Sequence, residues 1–195
     1  LFLRVLKKLS SGYHNIMSLI TFCNLHDIIL ISEIKSYKDK VSFTGPFKEG
    51  ISKKNNTVTQ TLNLLRKNKL LTNKFFKINV RKNIPHGAGL GGGSSNAANI
   101  LNILNFKLKL QLNNKNLMRL ARQIGYDVQI NLKRKNTFIT GKKNKILRLN
   151  KKFKLNLLII YPKLFCSTRA IYKKNKKLTL TKPQHHFNMD NNKKL

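Results

Sequence analysis

Ile84-Pro85-His86-Gly87-Ala88-Gly89-Leu90-Gly91-Gly92-Gly93-Ser94-Ser95-Asn96-Ala97-Ala98 is the stretch on which the fold turns. Gly87, Gly89, Gly91, Gly92 and Gly93 are half of the chain's 10 glycines. Ahead of it, Phe76, Ile78 and Val80 alternate with Lys77 and Asn79, so residues 75–80 read as a strand. Behind it, Ala97, Ile100, Leu101 and Leu104 recur at the spacing of a helix's buried face, with Ser94 or Ser95 as the expected N-cap. Strand, glycine loop and helix start gather unpaired backbone N–H groups and the positive end of a helix dipole at one point, which suits a phosphate. Glycine lets the backbone approach such a ligand closely, because it has no Cβ and tolerates positive φ.

The loop is not one of the two commonest phosphate binders. Gly87, Gly89 and Gly92 match G-x-G-x-x-G, but that fingerprint wants an acidic residue about 20 positions further on. No Asp or Glu occurs between Glu49 and Asp127. A Walker A loop is excluded, because no Lys follows the last glycine. What remains is a loop that holds a nucleotide's phosphates with backbone and hydroxyls alone. The bland alternative is a flexible Gly/Ser linker, but linkers rarely end in a capped helix.

Pro85-x-Gly87-x-Gly89-Leu90-Gly91-Gly92-Gly93-Ser94-Ser95-Asn96-Ala97-Ala98 resembles the phosphate-binding motif of the GHMP kinases, the galactokinase, homoserine and mevalonate kinase family. The resemblance extends over residues 1–175. It implies an α+β fold, with a ribosomal-protein-like N-terminal domain over residues 1–150 and the beginning of a ferredoxin-like domain over 151–195. It also implies ATP and Mg²⁺ as cofactors. The ATP site would comprise Lys82, Pro85, His86, Gly87, Ala88, Gly89, Leu90, Gly91, Gly92, Gly93, Ser94, Ser95 and Asn96. The triple glycine followed by Ser-Ser-Asn-Ala-Ala is most similar to members that phosphorylate cytidine-diphosphate methylerythritol, on the non-mevalonate route to isoprenoid precursors. A homoserine or mevalonate type of kinase is the alternative within the family.

Composition bounds the rest. The chain has 195 residues, enough for one large or two small domains. Forty Lys and Arg against 6 Asp and Glu give a net charge of +34. Such a charge can mean nucleic-acid binding. It can equally be drift toward AT-rich codons, since Lys, Asn and Ile abound, and the lysines are scattered through every segment rather than set in one stripe. Drift is the reading adopted, with no specific nucleic-acid partner. No apolar run reaches the roughly 18 residues of a spanning helix, and no signal-peptide pattern is present, so no membrane partner is expected. Cys23 and Cys166 lack metal-ligand spacing and are too few for a disulfide framework, which fits a reducing cytoplasm. The expected state is monomer or homodimer.

Residues 1–6 alternate as a first strand, and 7–12 read as a turn. Gly12-Tyr13-His14 follows. In the resembling family a Gly-Tyr-His at this place lies at the cytosine pocket, and an aromatic face with an imidazole suits a base; a structural loop is the other reading. Residues 28–34 and 41–43 read as strands. Asp27, Glu33, Asp39 and Glu49 show no pairing pattern and are taken as surface residues. Asn56-Thr57 looks like a helix start, with Val58, Leu62 and Leu65 on its buried face. Two readings stand for Lys82, neutralising phosphate before the loop or lying in solvent.

Asn113 or Asn114 should cap another helix, with Leu117, Leu120, Ala121 and Ile124 inward and Gly125 closing it. Asp127 then stands alone as the only carboxylate between Glu49 and Asp190. A kinase acting on an alcohol benefits from such a group, which orients the hydroxyl and accepts its proton. The resembling family carries its catalytic Asp in Gly-Ala-Asp-Val-Pro-Phe, against Gly125-Tyr126-Asp127-Val128-Gln129-Ile130 here. Gly, Asp and Val match; Tyr126 and Gln129 do not, and the shape of the pocket wall differs accordingly.

Residues 138–140 and 146–149 read as short strands about Gly141. The apolar run 155–161 reads as a central strand of a second unit, ended by Pro162. Tyr172 fits the position of an aromatic that stacks on the cytosine's other face, or packs structurally. His185-His186 is too isolated for a metal site, and no metal-ligating residue is assigned. The family's Pro-Ala-Lys-x-Asn-Leu stretch would precede Leu1, and nothing matches its third glycine motif. The expectation is a fragment with little activity alone.

Overall fold

The computed structural model describes residues 2–8, 14–140, 145–151 and 153–163. Chain order is β1 (Phe2–Lys8), β2 (His14–Ile20), β3 (Ile28–Ile34), β4 (Lys40–Thr44), α1 (Thr57–Lys67), β5 (Phe75–Arg81), α2 (Gly92–Lys107), α3 (Asn114–Ile124), α4 (Tyr126–Asn131), β6 (Thr137–Thr140) and β7 (Lys145–Arg148). The architecture is α+β and matches the expected class. One sheet has the order β1-β2-β6-β7, antiparallel throughout. The other has the order β3-β5-β4, with β3 antiparallel and β4 parallel to β5. A parallel neighbour needs a crossover, and α1 supplies it.

β5 is the strand from which the site grows. Phe76, Ile78 and Val80 are buried as their alternation requires, while Lys77 and Arg81 are exposed. They meet Val58, Leu62 and Leu65 of α1 and Ala97, Ile100, Leu101 and Leu104 of α2 in one core. Each fully buried aliphatic side chain contributes roughly 1.5–3 kcal/mol. Truncating Leu62, which is 1% exposed, to alanine should cost about 2–5 kcal/mol. α2 packs against α1, α3 and α4, so it buries more than one face; Ala97 and Ala98 keep it slim enough for that.

α1 begins as expected, the Asn56 side chain accepting from the Thr59 amide at 2.8 Å. α3 is capped by Asn113, which accepts from Asn116 N at 3.0 Å. Gly125 closes α3 through its amide to Ala121 O at 3.0 Å, but with φ 175° it is extended, not left-handed. A Cβ there would stand at an ordinary 3.6 Å from Val128. Gly125 is the joint at which α3 passes directly into α4.

Three expectations are corrected. The first strand runs on through Lys7 and Lys8, because they pair with Asn15 and His14 across the hairpin. The run 155–161 forms no strand: residues 154–160 are exposed and irregular. A strand exists through its ladder, and no described strand lies beside this one to pair with it. Asp27 and Asp39 are not surface residues. Asp39 accepts from Arg66 Nε at 2.8 Å, Arg66 Nη2 at 2.7 Å and the Phe76 amide at 2.8 Å, joining β5 to the end of α1. Glu33 and Glu49 are exposed as expected.

Candidate active site

The glycine loop leaves the end of β5 and is held from below. Lys82 N donates to Thr44 O at 2.7 Å, and Phe47 N donates to Lys82 O at 3.3 Å. That approach is so close that a Cβ on Gly45 (φ 88°) would lie 2.7 Å from Lys82 O. Asp27, just ahead of β3, grips the next turn. Its Oδ1 accepts from the amides of Asn83 at 2.8 Å and Ile84 at 2.9 Å. Its Oδ2 accepts from Asn96 Nδ2 at 2.8 Å and is ion-paired with Lys82 Nζ. The side chains of Asp27 and Lys82 are 1% and 3% exposed. Burial alone would push the Asp27 carboxyl up; the hydrogen bonds from Lys82, Asn96 and the Ile84 amide, with the charge of Lys82, outweigh it and hold the carboxyl below its usual value.

Above this floor the loop opens outward. Ile84 and Pro85 are buried, whereas Gly89, Leu90 and Gly91 are exposed. Gly87, Gly89 and Gly91 have φ of 69°, 72° and 70°, a conformation that side chains resist. A Cβ on Gly89 or Gly91 would meet nothing within 4 Å, so the glycines serve backbone conformation and leave space above them. Gly92 is different: its Cβ would stand 3.0 Å from Ile84 Cγ2.

The helix start differs from the expected one. α2 begins at Gly92 with Gly91 as its N-cap and no side-chain capping bond; Ser94 and Ser95 lie inside its first turn. The left-handed Gly91 bends the chain into the helix, a task a serine cap cannot perform. The first turn carries no acidic residue. Uncapped N–H groups at a positive dipole end, with open space above, fit an anion. Thr57 Oγ1 donates to Gly93 O at 2.8 Å and ties this turn to α1.

Asp127 lies in the first turn of α4, which packs on α2 and α3. The Leu132 carbonyl at the far end of α4 accepts from Asn102 Nδ2 of α2 at 3.1 Å. The Asp127 side chain is exposed on one side, and its carboxylate forms no ion pair among the described residues. The protein mass crowded on its other side pushes the carboxyl up from its usual value. Its open side lets water reach it.

Arg148 of β7 donates to Ile130 O at 2.6 Å and Gln129 O at 2.8 Å, fastening α4 to the four-stranded sheet. His14 begins β2 of that sheet, opposite Lys8. Tyr13 and Tyr172 lie outside the described residues. Lys82 and Asn96 are buried and face Asp27, so a solvated Lys82 is corrected; His86 is half-buried beside Gly50.

Sequence reasoning missed Asp27, Thr57 and Arg148. The signal for Asp27 was present. Asp27 is one of only 6 Asp and Glu in the chain, and the rarity that singled out Asp127 applies to Asp27 and Asp39 as well.

The family model of the GHMP kinases N terminal domain matches residues 56–134. The 4-diphosphocytidyl-2-C-methyl-D-erythritol kinase of Pelagibacter ubique is 39% identical over 164 residues, 84% of this chain and 58% of that protein. The enzyme of the same name from Caldicellulosiruptor bescii is 34% identical over 170 residues, 87% of this chain and 58% of that one. A crystal structure of 4-(cytidine 5'-diphospho)-2C-methyl-D-erythritol kinase is 28% identical with a TM-score of 0.58, covering 75% of this chain and 50% of its own. Homoserine kinase from Cytophaga hutchinsonii shares the fold at 18% identity, with a TM-score of 0.54 over 70% of this chain and 45% of its own. The chain spans a little over half the length of these curated relatives.

Proposed function

The chain belongs to the GHMP kinase family, and from that premise we propose that the intact protein transfers the terminal phosphoryl group of ATP to the 2-hydroxyl of 4-(cytidine 5'-diphospho)-2-C-methyl-D-erythritol. One observation carries the kinase reading: an uncapped helix start beneath a loop of three left-handed glycines, with open space above it. The choice of substrate rests on the names of the curated relatives. Residues 1–150 serve as the nucleotide-holding domain in this reading, and 151–195 begin the second.

The backbone N–H groups between Gly87 and Ser94 receive the phosphate oxygens, and the N-terminus of α2 offsets their charge. Asp127 accepts the proton of the attacking hydroxyl as the new O–P bond forms and the bond to the departing ADP breaks. His14, with Tyr13 and Tyr172, is assigned to the cytosine. Among the described residues no group of three His, Cys, Asp or Glu could hold a metal. Mg²⁺ therefore fits as an ion held by the triphosphate, hydroxyls and water, where it supplies charge neutralisation. Among the described residues no helix is long and apolar enough to cross a membrane. We assign the protein to the cytoplasm, as monomer or homodimer.

The test is phosphoryl transfer from ATP by the intact protein, offered the cytidine-diphosphate alcohol, homoserine or mevalonate. Turnover on the first alone supports the assignment. Turnover on another alcohol alone, or on none, overturns it.

A further inference from the structure

Two polar residues of the nucleotide segment, Lys82 and Asn96, point inward rather than toward the loop's open side. Both donate to Oδ2 of Asp27, while Oδ1 takes the amides of Asn83 and Ile84. One carboxylate thus receives four donors from three parts of the phosphate-binding segment: the residue following β5, the first turn of the loop and the second turn of α2. Lys82 Nζ lies under Gly92, 3.4 Å from where its Cβ would be. Asn83 adds a bond from its own side chain to His26 O at 3.0 Å.

We propose that Asp27 is the positioning residue of the phosphate loop, and that Lys82 and Asn96 anchor the loop to it instead of binding phosphate. The inference rests on the kinase reading for its consequence, but the anchor itself is a matter of loop structure. A buried lysine already paired with a buried carboxylate brings no net charge to the phosphates. Moving it to them would strand Asp27, and an unpaired buried charge is costly. The anion is then received by amides alone, whose directions are set by where Asn83, Ile84 and Asn96 are pinned. A loop with three left-handed glycines has little stiffness of its own. Asp27 supplies that stiffness from the entry of β3, 55 residues earlier than Lys82.

The experiment compares the chain with Asp27→Asn, Lys82→Met and the double variant, reading amide hydrogen exchange over residues 83–96 and MgATP affinity. Losing a charged, buried hydrogen-bond partner should speed loop exchange by roughly ten- to hundredfold in either single variant. Core amides of α1 and β5 should stay protected. MgATP affinity should fall in parallel, and the double variant should lose less than the two singles combined. Asn96→Ser, which removes one bond and no charge, gives a smaller change of the same sign and covers the case in which a charge variant fails to fold. Lys82→Met losing MgATP with loop exchange unchanged would make Lys82 a phosphate ligand and overturn the proposal. Unchanged exchange in all variants would also overturn it. If loop exchange responds as expected while even the unaltered chain ignores MgATP, the anchor stands and the kinase reading falls.

Discussion

Asp27 and Lys82 stand 55 residues apart in the chain and form an ion pair sealed beneath the glycine loop. The pair joins the entry of β3 to the exit of β5, at the point where regular structure gives way to the glycine turn. Removing one partner of a buried pair typically costs about 3–5 kcal/mol. Lys82→Met should therefore lower the urea midpoint more than any exposed lysine substitution.

The same pair sets an acid dependence. The folded carboxyl of Asp27 is held below its usual value. A group depressed in this way contributes stability that is complete above the unfolded value and lost as pH falls through the folded one. Urea midpoints measured downward from neutral pH should thus drop below about pH 4. In Asp27→Asn the midpoint is lower at neutral pH and this acid limb is flatter.

Asp127 should behave in the opposite sense. Its carboxyl is raised, so ionisation disfavours the folded state and its stabilising contribution vanishes as pH rises through the folded value. Asp127→Asn should leave the thermal midpoint at neutral pH unchanged or slightly higher. In the intact protein it should lower kcat by about 10²–10⁴. A variant that keeps its turnover would remove Asp127 from the role of base.

Gly91 separates backbone need from space. Alanine there meets nothing within 4 Å, but φ is 70°. The expected cost is about 1–2 kcal/mol of left-handed backbone strain, measured by urea titration. Gly91→Asn should cost less, because Asn tolerates that region better. Relaxation of the strain would turn the first amides of α2, so MgATP affinity should fall with Gly91→Ala.

Arg66 offers a control away from the loop. Its guanidinium makes two bonds to Asp39, reaches the carbonyls of Leu71 and Lys74, and lies 4.4 Å from the Phe75 ring centroid. A lysine cannot reproduce that planar set. Arg66→Lys should cost roughly 1–3 kcal/mol in a urea titration and leave MgATP affinity as it is.

The local grammar of the chain was readable. Asn56 and Asn113 cap helices where polar residues precede apolar periodicity, and Phe76, Ile78 and Val80 alternate into the core as a strand with one buried face must. The start of α2 was misplaced because serine capping is the commoner device, whereas here a left-handed Gly91 makes the bend. The run 155–161 has the composition of a strand, but composition cannot supply a neighbour.

What the sequence by itself determined is the strand, the glycine turn and the helix of residues 75–107, because propensity, period and glycine's freedom act between near neighbours. Only the tertiary structure decided which charges matter. Asp27 meets Lys82 and Asn96, Asp39 meets Arg66, and Arg148 meets the carbonyls of α4, across separations for which one-dimensional order holds no record. Each such pair exists because burial leaves a polar group no water to turn to, and folding alone brings its partner within reach.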